Sequence, residues 1–338
     1  MYKEQVCIFS LEFRFYKSMK AICPTLKISN VKTPVPEENE ARIRVSYFTL
    51  SFEDCQAYDI GVSPIKLGAA FTGIIDRVPA HESRFTVGGQ VMGFKTTGGA
   101  MAEYITCDVS LLIPVPPSLT LKDAVMIPEM WVSAIQLLKH EVGFVKRERL
   151  AVFGANCPLG LVITQLAQVL GCRRVHCIGD PIGPPMNPKV YALRASLPDE
   201  VVIYEDPDQA SAISCYDPKG LEAIIDVRAS PVFNFHMLRP QGRMSFAFSS
   251  IRGLETAPAP IPLALMNAKN IRLTGSCIRA HKPTSFQTHL SFIEEHIIPK
   301  IVNRQILGPN LSVHHWSEVS NILGNRNLQS KVHIFSVS

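Results

Sequence analysis

Residues Leu150–Gly171 read LAVFGANCPLGLVITQLAQVLG, and this stretch decides the fold. It opens with a compact apolar run that stops at Gly154, the length and composition of a buried strand. From Leu159 onward apolar residues recur at helical spacing and close at Gly171, a natural C-terminal stop. Between strand and helix lies a turn of mostly small residues. A strand that feeds such a turn, with the turn opening a helix, is suited to the pyrophosphate of a dinucleotide. Its glycines admit the anion close to the backbone, and the free amides and dipole at the helix N-terminus stabilise it. Gly154 and Gly160 are placed for this role. Pro158 at the middle position has no N–H and removes one donor. A turn that only packs a helix onto a sheet would read the same way.

Downstream, RRVHCIGD (173–180) reads as a second strand, so the segment forms a strand–helix–strand unit. GLEAIIDV (220–227), GRMSFAFSS (242–250) and NIRLTGSCI (270–278) are three more strand-like runs, which continue a parallel sheet to about Ile278. The expected fold class here is α/β, a Rossmann-type doubly wound parallel sheet. At the end of its second strand a carboxylate would hold the ribose hydroxyls of NAD, and basic residues the 2′-phosphate of NADP. Asp180 stands at that distance; a shift of one position would put the neutral Gly179 there instead, leaving Asp180 as a loop carboxylate before Pro181.

Upstream the pattern differs. ARIRVSYF (41–48), FTGIID (71–76), QVMGF (90–94) and AEYITC (102–107) alternate with Gly, Pro and charged turns, which predicts an antiparallel β-rich domain. KAICPTLKI (20–28) reads as a first strand and AVMIPEMWVSAIQLLKHEV (124–142) as a helix. Near the end, FQTHLSFIEEHIIPKIVNRQI (286–306) is an amphipathic helix. SEVSNILGNRN (317–327) and SKVHIFSV (330–337) supply a second helix and a last strand that fold back on the first domain. The pair His314 and His315 falls in an expected surface loop, with a solvated or structural role.

The 338 residues suffice for roughly two domains of ~100–200 residues. Hydrophobic residues at 46% and charged residues at 19%, with no run of ~18 apolar residues, exclude a membrane span. A net charge of +5 spread without a basic run lacks the footprint of a nucleic-acid binder, so a small-molecule partner is expected. Nine cysteines without CxxC spacing read as reduced thiols and point to the cytosol. The first residues lack a secretory h-region, and Glu4 and Glu12 weigh against a mitochondrial leader; residues before Met19 are expected to be a short extension.

The order of these parts resembles the medium-chain dehydrogenase/reductase superfamily, above all its zinc-free quinone oxidoreductases of the zeta-crystallin type and the related enoyl reductases. SFEDCQA (51–57), LGAAFTGIIDRV (67–78), FTVGGQVMGF (85–94), IPEMWVSAIQLL (127–138), GANCPLG (154–160), LTGS (273–276) and QSKVHIF (329–335) carry the likeness. It implies a GroES-like β-rich domain from residues 1–128 and 281–338 around a dinucleotide-binding domain at 129–280. Where zinc-dependent members have their ligands, this chain has Ser51 and Gly68, Ala69 and Ala70, so no zinc is expected. The resemblance implies hydride transfer from NADPH, with NADH the alternative, to a quinone or enone. It places Ser51 beside the nicotinamide, Ser133 at the position of a family threonine, and Gly154, Ala155, Leu159 and Gly160 along the pyrophosphate. It offers Tyr58 as a proton donor, against the plainer reading of a packing tyrosine. A homodimer through sheet edges is implied in the same way. Departures stand at Pro158, at Arg228 or Ala229, and at Phe248, where the family has glycine and where this chain would narrow the cleft; an arginine there would meet phosphate or solvent. They motivate the alternative of a non-catalytic relative that binds a partner.

Overall fold

The computed structural model describes residues 18–22, 26–51, 54, 58, 61, 67–180, 185–205, 212–228, 234–247, 260–324 and 332–337. Strands β1 (Ser18–Ile22) and β2 (Ile28–Lys32) pair antiparallel, so the stretch expected as one first strand is a two-stranded ribbon. The β-rich half is built from β3 (Glu40–Leu50), β4 (Ala70–Arg77), β5 (Gln90–Phe94), β6 (Tyr104–Asp108) and β7 (Leu112–Pro114). Alternation of inward apolar side chains gives it a closed core, and Phe48, Phe71 and Phe94 are fully buried.

The parallel sheet follows. Its strands are β8 (Arg149–Phe153), β9 (Arg174–Ile178), β10 (Val201–Tyr204), β11 (Leu221–Asp226), β12 (Leu238–Phe246) and β13 (Arg272–Gly275). They lie in the order β10-β9-β8-β11-β12-β13, which is 3-2-1-4-5-6 counted from β8. Helices cover both faces of such a sheet, so its central strands are buried on both sides and appear in the sequence as uninterrupted apolar runs. β11 is buried at all six positions.

The last strands, β14 (Leu311–His315) and β15 (Val332–Ser336), return to the first sheet: β15 pairs antiparallel with β3, and Phe335 stacks on Phe48 with ring centroids 5.2 Å apart. The histidines expected in a loop are therefore on an edge strand. His314 lies 3.0 Å (Nε2 to Nδ1) from His333 of β15, and His315 caps the turn that follows.

Two helices bring the halves together. α1 (Ile127–Ile135) has Pro128 in its first turn and is buried on nearly every side. It runs on through a π turn, Gln136–Glu141. α2 (Pro158–Val169) links β8 to β9 and packs against α1. The C-terminal helix expected over 286–306 holds, with α3 (Gln287–Phe292) passing into a π turn at Ile293–Ile297. Pro299 explains the change of ladder: it has no N–H for the carbonyl four residues back and its ring crowds that carbonyl, so the helix absorbs an extra residue.

Candidate functional site

In a doubly wound sheet the crevice for a ligand opens outside the carboxyl ends of the strands where the strand order reverses. Here that point lies between β8 and β11, and the turn Gly154–Gly160 stands on it. Gly154 has φ +80, and a Cβ on Gly160 would lie 2.2 Å from the Gly154 carbonyl oxygen and 2.7 Å from Ala155 Cα. The helix thus starts in direct backbone contact with the strand end, a fit that glycine alone allows. The amides of Gly154 and Ala155 both donate to the Ile178 carbonyl at 2.9 Å, which joins the turn to the end of β9. Asn156 fixes the same junction from the other side, donating to the Asp180 carbonyl at 3.0 Å and accepting from the Asp180 amide at 2.9 Å.

The helix entrance is filled by its own side chains. Cys157 is the N-cap, and its Sγ accepts from the Gly160 amide at 3.4 Å and faces the Leu159 amide as well. Burial pushes this thiol up to about 11, so the acceptor is neutral and weak. Pro158 brings no donor at all. Opposite the turn, Arg228 is neither solvated nor free for a phosphate. It is buried in a bidentate pair with the fully buried Asp226 (Nε–Oδ1 2.9 Å, Nη2–Oδ2 2.5 Å), and its guanidinium lies 4.6 Å from the Phe153 ring centroid. Ala229 and Phe248 lie outside the described residues.

A second constellation sits where β3 ends. The Asp54 carboxylate is fully buried and accepts from four donors: Ser51 N at 2.9 Å, Ser51 Oγ at 3.1 Å, Gly68 N at 2.8 Å and Arg279 Nη2 at 2.7 Å. Ser51 is half-buried and so reaches solvent. Glu129, in the first turn of α1, is 3% exposed, accepts from Thr49 Oγ1 at 2.9 Å and is within hydrogen-bonding reach of Ser51. Burial, reinforced by the Asp54 charge and only partly offset by Arg279, raises Glu129 to about 7.

Of the expected site residues, Gly154, Ala155, Leu159 and Gly160 come together at the crevice, with Asp180 at its β9 side. Ser51 joins Asp54, and Ser133 lies one turn beyond Glu129 on α1, where its hydroxyl donates back to the Glu129 carbonyl at 2.8 Å. Tyr58 is half-buried and packs against the main core. Asp54, Glu129 and Arg279 are not apparent from motif reading. The one available signal is a lone carboxylate in the apolar run MIPEMWV, since glutamate is almost never fully buried unless partnered. Among the described residues, no three His, Cys, Asp or Glu side chains group as a metal ion would require.

Residues 37–117 match the alcohol dehydrogenase GroES-like domain. A trans-enoyl reductase of Pyricularia oryzae is 24% identical over 220 residues, 60% of each chain. A quinone oxidoreductase of Sus scrofa is 24% identical over 156 residues, 45% of this chain and 47% of that one. The chain thus spans about half to three fifths of the length of these two relatives. Among solved structures, the CurK enoyl reductase superposes with a TM-score of 0.71 at 16% identity, over 94% of this chain and 98% of the other. An alcohol dehydrogenase superfamily protein of Novosphingobium aromaticivorans gives 0.75 at 17% identity, over 95% and 100%. The chain carries the mixed α/β fold of the medium-chain dehydrogenases and reductases, a GroES-like sheet domain joined to a parallel-sheet Rossmann domain. Quinone oxidoreductases and enoyl reductases are among the proteins it is similar to.

Proposed function

We propose that the chain is an oxidoreductase that uses NADPH, or NADH in its place, to reduce a quinone or an α,β-unsaturated carbonyl compound without zinc. The observation that carries this reading is the glycine turn at the reversal of strand order, with α2 opening directly over the crevice. A dinucleotide fits the backbone course of that turn. Gly154, Ala155, Leu159 and Gly160 would face its pyrophosphate and Asp180 its ribose. Among the described residues, the Leu159 and Gly160 amides meet only a neutral sulfur, and a phosphate oxygen is a far stronger acceptor, so a turn of the Cys157 side chain would release them. When bound, reduced nicotinamide supplies a hydride to an electron-poor double bond. The protein's part is to hold donor and acceptor together and to settle the developing negative charge.

The split into residues 1–128 with 281–338 for the acceptor and 129–280 for the dinucleotide belongs to the same proposal, as does a homodimer. For the latter, β13 is paired on one side alone among the described strands, and Leu263 nearby is 68% exposed.

The missing donor at Pro158 gives a specific expectation. Pro158→Gly should tighten NADPH binding about tenfold, the worth of one added hydrogen bond to a charged group, measured by fluorescence titration. The reading as a whole is tested by following NADPH consumption with menadione and with methyl vinyl ketone as acceptors. Consumption with either supports it, and none with both removes it. The buried Arg228–Asp226 pair and the Cys157 cap favour the second reading, a relative that keeps the fold to bind a partner.

A further inference from the structure

The cluster at the end of β3 has an odd charge count. Among the described residues, two carboxylates, Asp54 and Glu129, are buried beside a single cation, Arg279. A second negative charge in such a place has no partner, and burying an unpaired charge is costly enough that the group takes up a proton instead. The hydrogen bonds decide which carboxyl holds it. Asp54 accepts from two backbone amides, one hydroxyl and the guanidinium, a full set for an ionised carboxylate. Among the described residues, Glu129 has hydroxyls alone as hydrogen-bond partners, Thr49 at 2.9 Å and Ser51. Its second oxygen is therefore free to carry a hydrogen and donate it to Ser51 Oγ, which in turn donates to Asp54 Oδ2 at 3.1 Å. The result is a directed chain, Thr49 to Glu129 to Ser51 to Asp54, in which every hydrogen has an acceptor.

Ser51 is the half-buried member, and Glu129 and Asp54 are sealed behind it. Building on the reductase reading, in which Ser51 borders the nicotinamide, we propose that Glu129 is the proton reservoir of the site and acts through Ser51. The acceptor's β-carbon gains a hydride, with its electron pair, from the reduced nicotinamide. The Ser51 hydroxyl turns its hydrogen from Asp54 Oδ2 to the enolate oxygen so formed and gives it up there, and Ser51 takes the Glu129 proton in the same movement. Glu129 is left as a carboxylate beside Arg279 and is reprotonated from solvent after product leaves. The sum is one enone, one reduced nicotinamide and one proton consumed, one saturated ketone and one oxidised nicotinamide formed. For a quinone the same chain protonates the hydroquinone oxygen.

Among the described residues, the charged groups that bear on Glu129 are Asp54 and Arg279. Neither β5 nor α2, both packed on α1, carries an Asp, Glu, Lys or Arg. Lys139, His140 and Glu141 lie at the far end of the α1 rod, ten or more residues and about 15 Å along. His289 of α3 stacks on His140, and Glu294, Glu295 and His296 follow it at that same end. The proton on Glu129 is thus governed within the cluster.

Two measurements on the full chain test this, using Glu129→Gln, which keeps the side-chain shape, and Ser51→Ala. The first reads the proton without any cofactor. Infrared difference spectra across neutrality should contain the carbonyl stretch of a protonated carboxylic acid that titrates near pH 7 and is missing in Glu129→Gln. Absence of that band in wild type, or its persistence in the variant, would overturn the proposal. The second uses NADPH with methyl vinyl ketone and menadione. Both variants should lower kcat ~10²-fold with KM for NADPH unchanged, and the fall in wild-type kcat above neutral pH should vanish in Glu129→Gln. A normal kcat in Glu129→Gln, with the infrared band gone, would refute proton delivery and leave the reductase reading intact. No turnover by wild type would remove both.

Discussion

Asp217→Ala is expected to destabilise the protein by about 3–5 kcal/mol, the cost of removing one partner from a buried ion pair. Asp217 is 4% exposed at the N-terminal edge of the parallel sheet, opposite the crevice, and three side chains from two strands converge on it. Arg149 at the start of β8 reaches it at 3.3 Å, Arg174 at the start of β9 at 3.3 Å, and the fully buried His176 at 2.7 Å. His176 passes the link on to Tyr204 of β10 at 3.0 Å. Alanine leaves two guanidiniums with incomplete partners and one imidazole with none at that nitrogen. Burial by itself would raise the Asp217 carboxyl, but the hydrogen bonds and charge of His176 and Arg174 outweigh it and hold the group at about 2. The sign follows. A carboxyl depressed on folding gives stability that is complete above the ordinary value of about 4 and is lost as pH falls towards 2. Guanidinium denaturation at neutral pH should therefore separate wild type from Asp217→Ala widely, and the gap should close in acid. A difference below about 1 kcal/mol at neutral pH would mean that water replaces the carboxylate without loss.

Gly160→Ala is the second large effect. The added methyl would meet the Gly154 carbonyl and Ala155 Cα, which are backbone and cannot rotate aside. α2 must lift from the end of β8, at a cost of about 3 kcal/mol. Gly308→Ala is the matched control, because its Cβ would have nothing within 4 Å and should change stability by no more than about 0.5 kcal/mol. Melting curves of the two variants read the difference. Equal stability would show that the turn is looser than its contacts indicate.

Much of the fold is legible in the sequence because the central parallel strands are buried on both faces and so appear as apolar blocks. β8, β9 and β11 announce themselves in this way, whereas β12 is buried at four of its nine positions and β13 at none. Nor does β10 announce itself. It has four residues, two of them half-buried at the sheet edge, and it follows the mostly exposed helix Pro188–Ser196, so neither length nor periodicity marks it. β14 is hidden for a similar reason: it is an edge strand with no buried residue, whose register depends on β15.

The site divides along the same line. The glycine turn is local and can be read from seven consecutive residues. The Ser51–Asp54–Glu129–Arg279 cluster depends on a contact between positions 225 residues apart, which no local pattern contains. Arg228 is a further case. Its sequence position suggests an exposed or phosphate-binding cation, but the aspartate two residues earlier turns inward with it, and the pair neutralises itself beneath the turn.

The most direct measurement is a calorimetric titration of the purified full chain with NADPH and with NADH, with Gly160→Asp in parallel. Saturable binding of one dinucleotide per chain at micromolar levels is expected, with a rise in melting temperature, and its loss when a carboxylate is set against the pyrophosphate. A folded wild-type protein that takes up neither dinucleotide at millimolar concentration would contradict it, and would give the Cys157 cap and the Arg228–Asp226 pair to the partner-binding reading.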